Sequence, residues 1–491
     1  MAIPQPLLTR EPTYGEPITR ISTDGKELFV VSDLHLASGL NGSSNYEGTE
    51  NFFTDDAFGR FMDHLQNKQT GHAILLINGD FVDFLRIRDL PATEEEFTTW
   101  NQLLMRTGIQ RSVDELRASI SKKERAYGLK THDYKSVWKL HCCMLGHPLF
   151  FERVGRWLQD GNQLVITKGN HDLEWYWPAV RHYFRLFLAG CIASNTGQSP
   201  EKVLTDIVVP QTRFADHAVV FDGTFYAEHG HRFDSTTAVK GAPLLDNGEE
   251  INLPFGSFFN RYLINRLELL YPYLDNVRPA SNILLVLLRE RFPLALKMLF
   301  YYVPFMLMII PKRLYWETFK YLLSFLFVIV LPILITAWAI WHGWNLALFK
   351  GALSQKNSSL ITTQILGVLK NAGFLFLSYI FGRILVLVKL KAPWSFYPDA
   401  CKILTEDPRL KMVTFGHTHN PEQQVGQNNW YYNTGTWIPV YESKSASVRF
   451  DKTFTFLHIS RDRQGDLLSQ PLQRWNDDAL RSDPMILTDK K

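Results

Sequence analysis

The chain runs to 491 residues, long enough for more than one domain, with 52 Lys and Arg against 49 Asp and Glu and a net charge of +3. So small a basic excess gives no reason to expect a nucleic-acid-binding surface. Cys142, Cys143, Cys191 and Cys401 show no CxxC spacing and suit a reduced interior, and the polar stretch Met1 to Arg20 has no basic segment ahead of an apolar run, so no signal peptide is expected and the main body is placed in the cytosol.

In chain order, the first predicted strand is Glu27 to Ser32. A helix over Thr54 to Gln66 follows, with Phe58, Phe61, Met62 and Leu65 on one face. Strands are predicted at Ala73 to Asn78 and Gln163 to Thr167, and one helix over Ser136 to Gln159 stops at Asp160-Gly161. Ala218 to Phe221 and Thr224 to Ala227 read as strands joined by a hairpin at Asp222-Gly223. Far along the chain, Lys411 to Phe415 and Trp430 to Asn433 return to strand, and Ser447 to Ile459 alternates as a late edge strand. The tail beyond Arg461 is polar and expected at the periphery. Strands alternating with helices predict an α/β layered domain.

Between Phe255 and Lys391 the composition turns apolar. Tyr321 to Trp341 holds no charged residue, and roughly 21 residues at ~1.5 Å each cross a ~30 Å hydrocarbon layer. Ile361 to Val388 is a second candidate, interrupted by Lys370 and Arg383. Leu294 to Ile310 carries Lys297, ends at Pro311-Lys312-Arg313, and suits a helix lying in the membrane interface. The expected division is therefore residues 1–254, an inserted hydrophobic helical block over 255–392 that forms a membrane hairpin, and residues 393–491. A soluble helical lid or dimerisation block is the alternative. Lys312, Arg313, Lys320, Lys389 and Lys391 flank the block on the side of the main body, which places that side in the cytosol.

Short polar motifs end several of these strands: Asp33-Leu34-His35, Gly79-Asp80, Gly169-Asn170-His171-Asp172, His229-Gly230-His231 and Gly416-His417-Thr418-His419. Carboxylate, amide and imidazole donors delivered from strand ends are what a pair of hydrated divalent cations requires. Asp33 and His35 stand two apart, which on extended backbone turns both to one side, and His417 and His419 repeat that spacing. Asp80 can bridge two cations, and Asn170 offers an amide oxygen. His171 is placed to protonate a leaving oxygen, with Asp172 holding its ring. Asp83 is expected to support a ligand rather than bind directly, and His229 is preferred over His231 as a ligand. Arg86, Arg88, Lys168 and Arg232 lie beside the motifs and could grip a non-reacting phosphate. The four motifs before the apolar block and the one after it make a single site only if the block crosses a membrane an even number of times.

In this order the motifs resemble the calcineurin-like metallophosphoesterase superfamily, whose pattern runs D-x-H, G-D, G-N-H-D/E, H and G-H-x-H. The resemblance covers about Ile21 to Pro254 and Pro393 to Arg461. It implies a four-layered α/β/β/α sandwich, one cation held by Asp33, His35, Asp80 and His419, and a second by Asp80, Asn170, His229 and His417. His171 is then the general acid, oriented by Asp172. The strings Ser32-Asp33-Leu34-His35-Leu36, Gly79-Asp80-Phe81-Val82-Asp83-Phe84 and His229-Gly230-His231-Arg232-Phe233-Asp234 are similar to the UDP-2,3-diacylglucosamine pyrophosphatase group. The expected activity is hydrolysis of a phosphomonoester, phosphodiester or pyrophosphate bond. Mixed nitrogen and oxygen ligands favour manganese, with iron or zinc as alternatives. The expected substrate is a phosphorylated small molecule or a lipid-linked phosphate. A catalytically silent scaffold is the competing reading.

Overall fold

The computed structural model describes residues 18–325 and 395–485, together with residue 376, apart from short gaps at 42–44, 47–48, 70, 273, 279–281, 427–428, 443–446, 463–466 and 470. The chain divides into two compact units, Met1–Val303 with Pro393–Lys491, and Pro304–Ala392.

In the first unit, strands β1 (Ile18–Ile21), β2 (Glu27–Val31), β3 (Ala73–Asn78), β4 (Gln163–Thr167), β5 (Thr212–Ala215), β6 (Ala218–Phe221) and β7 (Phe225–Glu228) precede the apolar stretch. The short β8 (Val277–Arg278) follows them. After the stretch come β9 (Met412–Phe415), β10 (Glu422–Val425), β11 (Trp430–Asn433), β12 (Val440–Glu442), β13 (Ser447–Arg449), β14 (Thr455–Arg461), β15 (Leu467–Ser469), β16 (Gln473–Asn476) and β17 (Arg481–Pro484). An eight-stranded mixed sheet runs β17-β16-β14-β2-β3-β4-β5, with β15 beside β14; a six-stranded sheet runs β1-β6-β7-β9-β11-β10; and β13-β12-β8 form a small third sheet.

The α/β class follows from how these strands are buried. In β2 and β3, Leu28, Val30, Ile74 and Leu76 join Val219, Phe225, Ala227, Met412 and Tyr432 in one core, so the two large sheets pack face to face. The alternate residues Phe29, Val31, Leu75 and Ile77 point the other way, into a core shared with Phe58, Phe61, Trp100, Val137, Phe150, Trp157 and Phe184 of covering helices. Across the six-stranded sheet, Val220, Val413 and Phe415 pack on Ala400 and Leu404 of helix Tyr397–Glu406. Parallel strands buried on both faces need such near-continuous apolar runs.

Several elements differ from the sequence expectation. The helix predicted over Ser136 to Gln159 is two helices, Asp133–Gly146 and Pro148–Gln159. Pro148 disfavours helical backbone at His147, which takes φ −123° and ψ 52°. Ser447 to Ile459 is not one edge strand: it breaks at Phe450–Lys452, and β14 lies inside the eight-stranded sheet against β2. Among its described residues, the tail beyond Arg461 is not wholly peripheral, because Leu472 and Trp475 are fully buried and β16 extends that sheet. Three further helices, Glu94–Arg106, Val113–Ala118 and Lys122–Tyr127, each begin with a reciprocal cap, Thr93 with Glu96, Ser112 with Glu115 and Ser121 with Glu124.

The segment after Pro254 does not leave the first unit at once, as the expected boundary at residue 255 required; residues up to Val303 belong to it. Phe255, Phe258, Leu263, Leu267 and Leu274 are buried. Beyond them, Phe292–Ile309 is the one described helix long and apolar enough to cross a membrane, at 18 residues. The second unit's described residues include the end of that helix up to Ile309, the turn Lys312–Leu314 and the helix Tyr315–Phe325. The predicted spans Tyr321 to Trp341 and Ile361 to Val388 lie almost wholly outside the described residues.

Candidate metal centre

Register sets the site. Parallel pairing aligns Val31 with Ile77 and Asn78 with Thr167, so β2, β3 and β4 end together. In the six-stranded sheet Ala227 aligns with Thr414, and Phe415 with Asn433. The polar motifs emerge from these carboxyl ends, where open α/β sheets collect ligand-binding groups.

The loops are laced by backbone. Asp33 N–H donates to Gly79 O at 3.1 Å, His35 N–H to Asp80 O at 2.9 Å, and Gly416 N–H to His229 O at 3.0 Å. Asp33, His35, Asp80, His417 and His419 all have positive φ, between 51° and 68°. The two-apart pairs therefore face one centre through left-handed backbone beyond the strand end, not through the strand pleat expected from spacing. Such backbone costs on the order of 1–3 kcal/mol per residue and persists where the surroundings enforce it. Two motif glycines are fixed by close approach. A Cβ on Gly169 would lodge on Asp80 Oδ1, and one on Gly416 would lie 2.5 Å from Asp33 Oδ2.

Three groups of potential ligand atoms result: Asp33, His35 and His419; Asp80, His229 and His417; and His35, Asp80 and His171. Within each, the atoms lie within 4.8 Å of one another. His419 Nε2 is 3.2 Å from Asp33 Oδ1, and His229 Nε2 is 3.1 Å from Asp80 Oδ2. His229 Nδ1–H donates to Asn78 O at 3.0 Å, which turns Nε2 inward. His35 Nε2 and His419 Nε2 stand 3.1 Å apart; two such lone pairs repel unless a proton or cation lies between them. Asn170 Oδ1 and His229 Nε2 are buried with no hydrogen-bond partner. Inward-facing lone pairs, buried carboxylates and an orphaned amide oxygen fit divalent cations.

Asp172 does not hold His171, contrary to the expectation. Its oxygens accept from Gly169 N–H at 2.6 Å, Phe81 N–H at 2.9 Å and Trp175 Nε1 at 3.1 Å, so it shapes the loop. Asp83 holds the ring instead: its Oδ2 accepts from His171 Nδ1 at 2.8 Å and from His35 Nδ1 at 3.0 Å. Sequence spacing favoured the adjacent acid; the turn after Gly79 brings the distant one. Asp234, also in the His229 string, faces His417 Nε2 at 3.2 Å with Thr237 Oγ1 at 3.2 Å. Thr436 Oγ1 donates to Asp33 O at 2.7 Å. The Thr-Gly-Thr turn and the Asp of His-Gly-His-Arg-Phe-Asp were the available signals for these supports.

Electrostatics follows from burial and charge. For Asp33, burial opposes ionisation, but His229 and His419 outweigh it and hold the carboxyl at about 2. For His171, burial disfavours charge, but Asp83 and Asp80 lift the ring to about 10. Burial, aided by Asp80, pushes Asp172 up to about 7. Burial and the neighbouring His229 and His417 keep His231 neutral, with its pKa well below the usual value. The proposed phosphate grips are otherwise engaged: Arg86 is enclosed by Asp83, Glu268 and Asp275, Lys168 lies 3.6 Å from Asp216, Arg232 pairs with Glu228, and Arg88 donates to Ala126 O.

Compared with known proteins, the chain matches no family model and no curated protein sequence.

Proposed function

We propose that the chain is a dinuclear metal-dependent phosphoesterase, built on the α/β/β/α sandwich that its motif resemblance implies. One observation carries this reading. Residues from five separate loops converge so that Asp80 belongs to two ligand groups at once, one with His35 and His171 and the other with His229 and His417. Asp33, His35, Asp80 and His419 would hold one cation, and Asp80, Asn170, His229 and His417 the other. When bound, such a pair supplies Lewis acidity and a hydroxide near neutral pH. The chain's own part is positioning. His171 would donate its Nε2 proton to the departing oxygen while Asp83 fixes Nδ1. Buried walls around Asp33, Asp80 and His229 exclude bulk water and strengthen each charge interaction.

The reading extends to a membrane surface, with the catalytic body in the cytosol and a lipid-linked phosphate or diphosphate as substrate. The 18-residue apolar helix Phe292–Ile309, with Phe292, Phe300 and Tyr301 exposed, supports it. The test is to strip the purified protein with a chelator and reload it with manganese, iron or zinc. It is then assayed on chromogenic phosphomonoesters and diesters and on nucleoside diphosphate lipids. Binding of about two ions per chain with metal-dependent turnover is expected; a fully folded chain that binds none and cleaves no ester overturns the proposal.

A further inference from the structure

One buried charge in the first unit belongs to none of the ligand groups and yet touches their support. Arg86 is fully enclosed, and three carboxylates surround it. Its Nε lies 3.1 Å from Asp83 Oδ2, its Nη1 2.6 Å from Glu268 Oε2, and its Nη2 3.0 Å from Asp275 Oδ2. Asp83 Oδ2 is the same atom that holds His35 and His171. Glu268 and Asp275 come from the segment that follows Pro254 and leads on to the apolar helix.

That segment grips the site at further points. Ser257 Oγ donates to Asn170 O at 3.0 Å, Asn265 Nδ2 to Leu85 O at 2.7 Å, and Arg261 Nη2 to Gly128 O at 2.8 Å. Glu268 and Asp275 are themselves fixed to each other, since Asp275 N–H donates to Glu268 Oε1 at 2.9 Å, and Asn260 Nδ2 donates to Asp275 Oδ2 at 2.8 Å. A guanidinium can face three carboxylates at once because its charge is spread over a planar fork, and here Nη2 donates to Asp275 Oδ2 while Nη1 also donates to Thr49 O at 2.9 Å; an ammonium on a shorter reach cannot do this. Burying these charges away from water is expensive unless each is paired. The arrangement is therefore stable only when the 255–278 segment is seated.

We infer that Arg86 is a positioning residue that transmits the seating of the 255–278 segment, through Asp83, to the imidazoles of His35 and His171. The inference rests on the metallophosphoesterase reading for its kinetic consequence, but not for its structural one. Glu268→Gln keeps the shape of the clamp and removes its charge, and Arg86→Lys keeps the charge and removes the fork. Both are expected to lower kcat at least tenfold with KM and metal content unchanged, because the fault lies in ring placement and not in substrate or cation capture. Arg266→Gln, on the same segment but outside the clamp, serves as the control.

A second readout separates the two ideas. In histidine-15N-labelled protein the His171 imidazole resonances, assigned by their loss in His171→Gln, are expected to shift in Glu268→Gln and in Arg86→Lys. If the unmodified chain cleaves no phosphate ester while these shifts occur, the catalytic reading fails and the positioning inference stands. Unshifted His171 resonances in folded variants overturn it, as does full kcat in either variant.

Discussion

Asp83→Asn tests the centre of the arrangement. One oxygen of Asp83 receives His171 Nδ1 at 2.8 Å and His35 Nδ1 at 3.0 Å, and lies 3.1 Å from the Arg86 Nε in an ion pair. An amide in its place can offer a carbonyl oxygen but no charge. Removing one partner of a buried ion pair costs ~3–5 kcal/mol. Arg86 retains Glu268 at 2.6 Å and Asp275 at 3.0 Å, so the lower end, about 3 kcal/mol of folding stability, is expected. Turnover should suffer more. His171 loses the group that orients it, and a correctly placed general acid is worth ~10²–10⁴. The backbone N–H of His171 still donates to Asp80 Oδ1 at 2.8 Å, so the loop stays and a loss of about 10² is expected. Urea unfolding gives the first quantity, and steady-state hydrolysis of a chromogenic diester at saturating manganese gives the second. Turnover within a factor of about three of the unmodified chain would refute the assignment of Asp83 as the ring holder.

Other substitutions separate binding from proton transfer. Asp80→Asn removes the carboxylate common to two ligand groups; turnover should vanish and elemental analysis should find less bound metal. His171→Ala should slow turnover ~10²–10⁴ while metal content stays near normal, and loss of metal would recast His171 as a ligand. Stability should also depend on pH through His147. Burial disfavours its charge, but Glu50 and Asp55 lift it to about 9. A folded pKa above the unfolded ~6.5 means that the stabilisation is complete below about pH 6.5 and is lost as pH rises through 9. The amount is of order 3 kcal/mol, so the urea midpoint should fall between neutral pH and pH 9.5, and that fall should be smaller in His147→Gln.

Several strands were legible because their apolar runs are short and bounded by turn residues. Ala73 to Asn78, Gln163 to Thr167, Ala218 to Phe221 and Trp430 to Asn433 form as predicted. The residues that cluster were legible as types at strand ends: Asp33, His35, Asp80, His171, His229, His417 and His419 come together. Three things were not. The left-handed backbone that aims Asp33 and His35 leaves no mark on residue spacing. The exchange of Asp172 for Asp83 depends on a loop crossing that local sequence does not specify. The segment after Pro254 reads as the start of the inserted apolar block, yet Phe258, Leu263 and Leu267 are buried in the first unit and its Glu268 and Asp275 face Arg86. Apolar residues look alike whether protein or lipid covers them.

The two large sheets have one topological trait with a consequence for biosynthesis. Each takes an interior strand from beyond the apolar stretch: β14 lies against β2, and β9 lies between β7 and β11. His417 N–H reaches Asp33 across 384 positions of sequence. A nascent chain paused before Met412 would expose the flank of Phe225–Glu228 and lack two of its imidazoles. Pairings this remote are slow to close and leave sticky intermediates in the meantime. Chaperone dependence during translation, and insolubility of fragments ending before the last strands, follow from that wiring.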